Sequence, residues 1–224
     1  MPQETIWAHY QNEGIAVFQG DKTRHNYLLN YAARMRPAAV LNIGCGDGYI
    51  ELEGLKRGWR SLSVDPDERA MARLAEHGVE ARKGFIEALP FADSSADVVI
   101  CTEVLEHLTG EQLAAGLPEI RRVLKPGGVL MGTTPYREDL KNNEFVCMHC
   151  GQKSHRWGHQ QSFDERQMKR LLEPWFTVRE VRPKYFPIWQ TNWKGKLLNA
   201  VLLTVSVFGS YGQSANLFFV AAKS

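Results

Sequence analysis

Two glutamates and a histidine with helical spacing are the residues of this chain whose types point most directly to chemistry. Glu103, Glu106 and His107 follow a short apolar stretch. On one turn of helix, Glu103 and Glu106 would share a face, with His107 beside them. Two carboxylates and an imidazole can hold Mg²⁺, Mn²⁺, Fe²⁺ or Zn²⁺ and leave positions open for a substrate hydroxyl. One interpretation is therefore a divalent-metal site, and the other is a loop whose side chains only line a cofactor.

A second group of potential metal ligands lies further along the chain, in a polar segment. Cys147, Cys150, His155 and His159 have the spacing C-x2-C-x4-H-x3-H, which is close to that of a zinc knuckle. Two thiolates and two imidazoles can complete a tetrahedral zinc site. A structural zinc would also order a long polar segment that burial alone stabilises poorly. Two alternatives stay open: a loop whose cysteines bind nothing, and a divided set in which His159 joins the Glu103 cluster.

An apolar run that ends in alternating glycines predicts a third site, where a ligand approaches the backbone. Residues 40–43 are typical of a buried strand, and the glycines from Gly44 onward allow a sharp turn. Asp65 ends the next short strand, where a carboxylate can accept hydrogen bonds from two ribose hydroxyls. Asp47, inside the turn, would repel a pyrophosphate. The turn therefore favours an adenosine cofactor with a sulfonium and an ammonium group over a dinucleotide.

The elements that must hold these residues alternate between strand and helix. Strands are predicted at 40–43, 61–64, 79–83, 97–101, after the glycine turn at 126–128, at 177–181 and at 216–222. Helices are predicted from Tyr49 to Arg57, over 67–77 with Asp67 as N-cap, from Thr109 with a capping box to Gln112, and over 164–173. Pro118 is expected to interrupt or bend the third of these helices. The alternation predicts a parallel, doubly wound sheet with the glutamates at its carboxyl edge.

The ordered set of motifs resembles the class I S-adenosylmethionine-dependent methyltransferases over residues 38–135 and at the last strand. The shared features are the glycine turn, Asp65, and the segments 86–91, 103–107 and 124–128. The resemblance implies an α/β, Rossmann-like, mostly parallel seven-stranded sheet and S-adenosylmethionine as cofactor. It assigns cofactor contacts to Asn42, Gly44, Cys45, Gly46, Asp65, Pro66, Phe85, Ile86, Glu87 and Thr102. Many relatives have an acid at the position of Phe85, whose ring is expected to stack on the adenine instead.

The Glu-x-x-Glu-His segment is similar to the metal-ligating motif of small-RNA 2′-O-methyltransferases and to the matching segment of ubiquinone-biosynthesis O-methyltransferases. In the RNA enzymes a distal histidine completes the site, and His155 or His159 would fill that position. The resemblance implies catalytic roles for Glu103, Glu106, His107 and His159, with His107 as the first choice for a base. The expected function is methyl transfer to an oxygen or nitrogen of a small-molecule or lipid-linked acceptor. Metal-assisted RNA 2′-O-methylation and non-catalytic cofactor binding are the alternatives.

Length and composition fit one domain: the chain has 224 residues, of which 44% are hydrophobic and 23% charged. We divide it into a helical cover at 1–36, a cofactor-binding core at 38–135, a zinc-binding insertion at 136–163 and a C-terminal part at 164–224. The net charge of +2 argues against an extended nucleic-acid surface. No secretory signal is recognised at the N-terminus, so a cytoplasmic location is expected.

The most apolar run of the chain, residues 197–208, follows two tryptophans and two lysines: Trp189, Trp193, Lys194 and Lys196. The run is too short to span a bilayer, which needs about 20 residues. We expect a buried helix or the wall of an apolar pocket. The alternative is an interfacial helix that rests on a membrane, which would suit a lipidic acceptor.

Overall fold

A seven-stranded sheet forms the centre of the protein. The computed structural model describes residues 11–13, 22–189, 191–209 and 215–224. The strands of the sheet are β1 (Ala39–Ile43), β2 (Arg60–Asp65), β3 (Glu80–Lys83), β4 (Ala96–Thr102), β5 (Leu124–Pro135), β8 (Thr177–Tyr185) and β9 (Ala215–Ala222). Their order across the sheet is β3-β2-β1-β4-β5-β9-β8. The helices are α1 (Lys22–Ala33), α2 (Tyr49–Lys56), α3 (Glu68–Glu76), α4 (Gly110–Val123), α5 (Glu165–Leu172) and α6 (Trp193–Val207). The predicted mostly parallel, Rossmann-like sheet is confirmed.

Burial on both faces explains why the central strands are almost continuously apolar. All five residues of β1 are buried, and β4 is buried at every position except Asp97. The first five strands of the sheet run parallel, as expected when helices cover both faces. Strand β9 runs antiparallel to both of its neighbours, β5 on one side and β8 on the other. The carboxyl ends of β1, β2, β4 and β5 therefore meet at one edge.

The helix starts follow the capping residues in the sequence. Asp67 accepts a hydrogen bond from the backbone N–H of Ala70 at 2.6 Å, which confirms it as the N-cap of α3. Thr109 and Gln112 form the predicted capping box at the start of α4. Pro118 does not interrupt α4, which continues through it to Val123.

The segment after β5 folds into a short hairpin instead of a long loop. Its strands are β6 (Glu144–Val146) and β7 (Lys153–His155). Beyond the hairpin, the backbone N–H groups of Gln160 and Gln161 donate to the carbonyl of Glu106, at 2.7 and 3.0 Å. The segment is therefore fastened to the carboxyl edge of the sheet, over the end of β4.

The two ends of the chain cover opposite parts of the fold. The predicted N-terminal cover is present as α1, whose Leu28 and Leu29 are fully buried, and residues 1–10 and 14–21 lie outside the described residues. The expected burial of the apolar run 197–208 is wrong, since Ser206 is the only buried residue of α6. Within the described ranges, no helix combines the length and the apolar character that a membrane crossing requires.

Candidate active site at the carboxyl edge of the sheet

A cavity of about 880 Å³ opens at the carboxyl ends of β1, β2 and β4. This volume lies within the range of about 300–1,000 Å³ that is usual for ligand pockets. Its wall brings together the glycine turn, Asp65, Phe85 and the segment from Glu103 to His107. The position is the one at which open α/β sheets bind ligands.

The glycine turn after β1 needs glycine for steric reasons. Gly44 and Gly46 both have positive φ, at 81° and 53°. A Cβ atom on Gly44 would lie 2.7 Å from Cγ2 of Val104, which is closer than real Cβ contacts. The turn therefore exposes bare backbone to the cavity, as close approach of a ligand requires.

Asp65 fastens the glycine turn to the end of β2. Its carboxylate accepts hydrogen bonds from the backbone N–H of Cys45 at 3.0 Å and of Asp67 at 2.9 Å. The side-chain amide of Gln11 donates to it at 2.9 Å as well. Sequence reasoning missed Gln11, because no pattern in the first residues of the chain connects it with β2. Asp65 and Pro66 both line the cavity. The position of Asp65 suits contact with a ribose, which stays a prediction.

Behind the turn, a buried polar network joins β1, α2 and β2. Glu51 accepts hydrogen bonds from the Asn42 amide at 2.9 Å and the Ser63 hydroxyl at 2.6 Å. The Asn42 amide also donates to the carbonyl of Gly44 at 3.1 Å. Burial raises the pKa of Glu51 to about 7, while the hydrogen bonds from Ser63 and Asn42 oppose the rise. The Asn42 amide thus links the glycine turn to the buried carboxylate of Glu51.

The loop after β3 supplies an apolar wall. Phe85 lines the cavity with its side chain 45% exposed, whereas Ile86 is buried against Gly116 of α4. The carboxylate of Glu87 accepts a hydrogen bond from the side-chain amide of Gln112 at 2.7 Å. An aromatic ring on the cavity suits the expected stacking on adenine, which stays a prediction.

Glu103 does not share a helical face with Glu106, so this part of the predicted cluster is wrong. Glu103 has a φ of 55°, and the 3₁₀ turn that follows covers only Leu105–His107. Its carboxylate accepts hydrogen bonds from the hydroxyl of Thr133 at 2.8 Å and the amide of Asn216 at 3.0 Å. The left-handed backbone turns the side chain toward β5 and β9.

Two further groups hold Glu103 in that position. The hydroxyls of Thr102 and Thr133 lie 2.7 Å apart, so Thr102 can donate to Thr133 while Thr133 donates to Glu103. The guanidinium of Arg24, in α1, lies 3.6 Å from the Glu103 carboxylate. Arg24 also lines the cavity, and sequence reasoning missed it because its partner is distant in the chain.

Glu106, His107 and His159 do come together. Their ligand atoms lie within 4.8 Å of one another, and all three residues line the cavity. The Glu106 side chain is 1% exposed, yet neither carboxylate oxygen has a hydrogen-bond partner. Burial, and secondly the charge of Glu103, raise the pKa of Glu106 well above its usual value. Because buried polar atoms are nearly always paired, these two oxygens are candidates for binding a ligand.

The electrostatics of His107 and His155 favour neutral rings. Burial, with a smaller contribution from His159, lowers the pKa of His107 to about 3, so His107 is a weak proton acceptor. The pKa of His155 is lowered as well, first by burial and then by His159. Neutral imidazoles are the form in which histidine binds metals.

A residue that sequence reasoning missed, Glu138, holds His159 from behind. Its carboxylate lies 2.5 Å from Nδ1 of His159 and 3.5 Å from Nε2 of His155. The three residues form a second cluster of potential ligands that shares His159 with the first. A carboxylate on one ring nitrogen orients the other nitrogen toward a metal. Glu138 stands in a polar stretch after β5 with no periodic pattern, so no signal in the sequence points to it.

The four predicted zinc ligands are not brought together. Cys147 and Cys150 lie at the turn of the β6–β7 hairpin, where the N–H of Gly151 donates to the carbonyl of Cys147 at 2.9 Å. Strand β7 carries His155 away from that turn, toward Glu138. Among the residues that the structure describes, no cluster of three or more potential ligands includes a cysteine. The arrangement corresponds to the divided set, with His159 beside Glu106 and His107.

The sequence is similar to known methyltransferases. A family model described as a methyltransferase domain matches residues 41–132. A probable S-adenosylmethionine-dependent methyltransferase of Mycolicibacterium smegmatis is 38% identical over 117 residues, which are 51% of this chain and 45% of that protein. The ubiquinone biosynthesis O-methyltransferase of Hahella chejuensis is 30% identical over 164 residues, 67% of this chain and 68% of that protein. The chain thus spans less than half the length of the mycobacterial relative.

Solved structures share the fold at low sequence identity. The Burkholderia thailandensis 1,6-didemethyltoxoflavin-N1-methyltransferase, solved with 1,6-didemethyltoxoflavin and S-adenosylhomocysteine, has a TM-score of 0.69 at 18% identity, covering 99% of this chain and 87% of that one. A Thermotoga maritima S-adenosylmethionine-dependent methyltransferase has a TM-score of 0.66 at 19% identity, covering 98% and 99%. With the glycine turn, the sheet order and the sequence relatives, the conclusion is that this chain belongs to the class I S-adenosylmethionine-dependent methyltransferases.

Proposed function

We propose that this protein transfers the methyl group of S-adenosylmethionine to a hydroxyl oxygen of an acceptor that binds beside Glu106, His107 and His159. The observation that carries the proposal is the single cavity that joins the glycine turn and Asp65 to these three residues. Its volume of about 880 Å³ leaves room for a cofactor and a small-molecule or lipid-linked acceptor group.

The chain's own residues bind and orient the reactants. When bound, S-adenosylmethionine would supply a methyl group on a positively charged sulfur: the acceptor oxygen would bond to the methyl carbon, the sulfur would keep the electrons of the broken bond as a neutral thioether, and the hydroxyl proton would pass to water. Gly44, Phe85 and Asp65 line the cavity; in this proposal Gly44 offers bare backbone, Phe85 stacks on the adenine and Asp65 accepts hydrogen bonds from the ribose. Holding the two reacting atoms in line accounts for most of the rate that such sites provide.

We further propose that Glu106, His107 and His159 hold a divalent cation in this cavity. Two imidazoles and one carboxylate leave coordination positions open, which suits Mn²⁺, Fe²⁺ or Zn²⁺. A bound cation lowers the pKa of a coordinated hydroxyl and orients it. The unpaired carboxylate oxygens of Glu106 and the Glu138 contact behind His159 support this site.

An oxygen acceptor is favoured over nitrogen by the chemistry of this ligand set. The ubiquinone biosynthesis relative is named as an O-methyltransferase, and malonyl-[acyl-carrier protein] O-methyltransferases of two Erwinia species are also similar to this chain. Metal-assisted 2′-O-methylation of RNA remains the second candidate, because a terminal ribose presents the same kind of hydroxyl. With a net charge of only +2, the protein would contact just a short stretch of RNA in that role.

Labelled cofactor and a panel of acceptors test the proposed reaction. The panel contains catechols, lipid-linked hydroxyl compounds, sugars, amines and short RNAs with a free terminal ribose. We expect label on a hydroxyl compound and loss of transfer when a chelator is added. Transfer to amines alone would contradict the oxygen assignment. Tight binding of S-adenosylhomocysteine without transfer to any member would favour a non-catalytic binding protein.

Metal titration tests the ligand set separately from activity. Glu106→Gln is expected to abolish binding of Mn²⁺ or Zn²⁺, measured by calorimetry on metal-stripped protein. Glu138→Gln should weaken binding about 10- to 100-fold, as is usual when a residue that orients a ligand is lost. Glu103→Gln is the matched control and should retain the affinity, since its carboxylate contacts Thr133 and Asn216. Equal loss in Glu103→Gln and Glu106→Gln would contradict the ligand assignment.

A further inference from the structure

Helix α6 exposes most of its large apolar side chains, whereas the side that packs on the protein carries the polar residues Asn199 and Ser206. Its exposed residues cover about 220° of the helix when each residue advances about 100°. The large apolar side chains of this outward face are Trp193, Leu197, Leu198, Val201, Leu203, Val205 and Val207, with Phe208 directly after the helix, and Lys194, Lys196 and Thr204 lie among them. Trp193 is 71% exposed, Leu197 60% and Phe208 84%. A helix on the surface of a soluble protein normally turns such residues toward the core.

Polar contacts hold the opposite side of α6 to the protein. The Asn199 side chain accepts hydrogen bonds from the hydroxyl of Tyr185 at 2.5 Å and from the N–H of Ile188 at 3.1 Å. Its amide donates to the carbonyls of Ile188 and Gly195, at 3.1 and 2.8 Å. Ser206 is buried on the same side. The contacts of Asn199 with Tyr185 and Ile188 hold this side of α6 against the end of β8, so the large apolar side chains point outward.

The charged residues of α6 indicate which kind of surface its outward face would bind. Residues 188–208 contain no aspartate or glutamate, and their only charged side chains are those of Lys194 and Lys196. Lys194 lies over the ring of Trp193, 5.7 Å from its centroid. Tryptophan and lysine at the end of an apolar helix are typical of helices that lie in the interface of a membrane. The lysines complement the phosphates of anionic lipids.

The position of α6 relates this surface to the cofactor cavity. Strand β8 runs parallel to β5, because both pair antiparallel with β9, and it ends at Tyr185. Ala215 pairs with Tyr185, and the next residue, Asn216, donates to Glu103 at the edge of the cavity. Helix α6 thus follows a strand that ends at the same edge of the sheet as the cavity.

We propose that α6 binds the surface of an anionic lipid bilayer, with its outward face in the acyl boundary and Lys194 and Lys196 at the phosphates. This binding is independent of the proposed reaction. One consequence does rest on the proposed function: a bilayer on α6 would present a lipid-linked acceptor to the edge of the sheet that carries the cavity.

Sedimentation with lipid vesicles tests the proposal on the full chain. We expect binding to phosphatidylcholine vesicles that contain phosphatidylglycerol, and weaker binding to phosphatidylcholine alone. Leu197→Glu with Val201→Glu should abolish binding to both. Lys194→Ala with Lys196→Ala should weaken binding to the anionic vesicles about 30-fold, if each lysine contributes as is usual near such a surface. Added salt should have the same effect.

The control variant, Ala114→Glu with Ala115→Glu, adds the same charge on exposed positions of α4 and should bind as the wild type does. All variants should bind S-adenosylhomocysteine with unchanged affinity, which shows that they fold and separates this test from that of the reaction. Absence of binding to anionic vesicles overturns the proposal, as does equal binding by the Leu197→Glu, Val201→Glu variant. A wild-type dimer that this variant converts to monomer, without vesicle binding, would assign the face to a second copy of the chain instead.

Discussion

Replacing Glu51 should change how the stability of this protein depends on pH. Glu51 is 2% exposed, and one carboxylate oxygen accepts from Asn42 and Ser63 while the other has no partner. Burial makes the charged form costly, so its pKa rises from 4.5 to about 7. Glu51→Gln keeps an acceptor oxygen for Asn42 and Ser63 but cannot ionise.

The size and sign of the effect follow from that pKa. Below pH 4.5 the carboxyl group is protonated in both the folded and the unfolded chain, so it adds no pH dependence. As the pH rises toward 7, the unfolded chain releases the proton first, and the folded state loses stability. At about 1.4 kcal/mol for each pH unit, the free energy of unfolding falls by roughly 3 kcal/mol through this group.

Urea unfolding of the wild type and Glu51→Gln at several pH values measures this term. His25, whose pKa burial lowers to about 3, acts in the opposite direction, because stability is lost as the pH falls below 6.5. The difference between wild type and variant cancels that contribution. We expect the variant to gain roughly 2–3 kcal/mol relative to wild type between pH 4.5 and pH 7. A difference that stays constant over this range would show that Glu51 ionises normally and would refute the reasoning.

Three further substitutions have defined outcomes. Phe85→Ala should weaken S-adenosylhomocysteine binding about tenfold by calorimetry, as expected for loss of an aromatic ring stacked on a base; unchanged affinity would contradict the stacking. Thr109→Ala should lower the free energy of unfolding by about 1 kcal/mol, because it removes the N-cap of α4. Urea unfolding measures this change, and a variant as stable as the wild type would contradict the prediction. Gly132→Ala should prevent accumulation of folded protein, since its Cβ would lie 1.7 Å from the carbonyl oxygen of Cys101; a variant that expresses and unfolds like wild type would refute this.

Local signals predicted the elements of the fold well. The run before Gly44 and the caps Asp67 and Thr109 act on neighbouring residues, so the sequence alone defines them. The glycine turn after β1 is predictable for the same reason, because glycine is the residue that adopts positive φ values without steric cost. The glycine turn predicted at 126–128, before the fifth strand, lies instead within β5, which begins at Leu124.

The errors arose where distant segments meet. Helical spacing predicted that Glu103 and Glu106 share a face, but a positive φ and two partners from other strands turn Glu103 away. The spacing of Cys147 and His155 suggested a common ion, but the strands of a hairpin separate them. Glu138 was not predicted, since its role depends on where the insertion places His159.

The orientation of α6 was mispredicted for a different reason. An apolar run is most often buried, and composition does not reveal which side of a helix faces the protein. The decisive residue is Asn199, whose hydrogen bonds to Tyr185 and Ile188 turn the apolar side outward.

Calorimetric titration with S-adenosylhomocysteine, comparing Gly44→Ala with Gly58→Ala, tests the cofactor site most directly. Both glycines have positive φ, at 81° and 78°, so both variants carry a backbone strain of about 1–2 kcal/mol. A Cβ atom on Gly44 would lie 2.7 Å from Val104 in the cavity, whereas a Cβ atom on Gly58 would point into open space. We predict that the wild type and Gly58→Ala bind the ligand and Gly44→Ala does not. Equal binding by the two variants, or none by the wild type, would contradict the account.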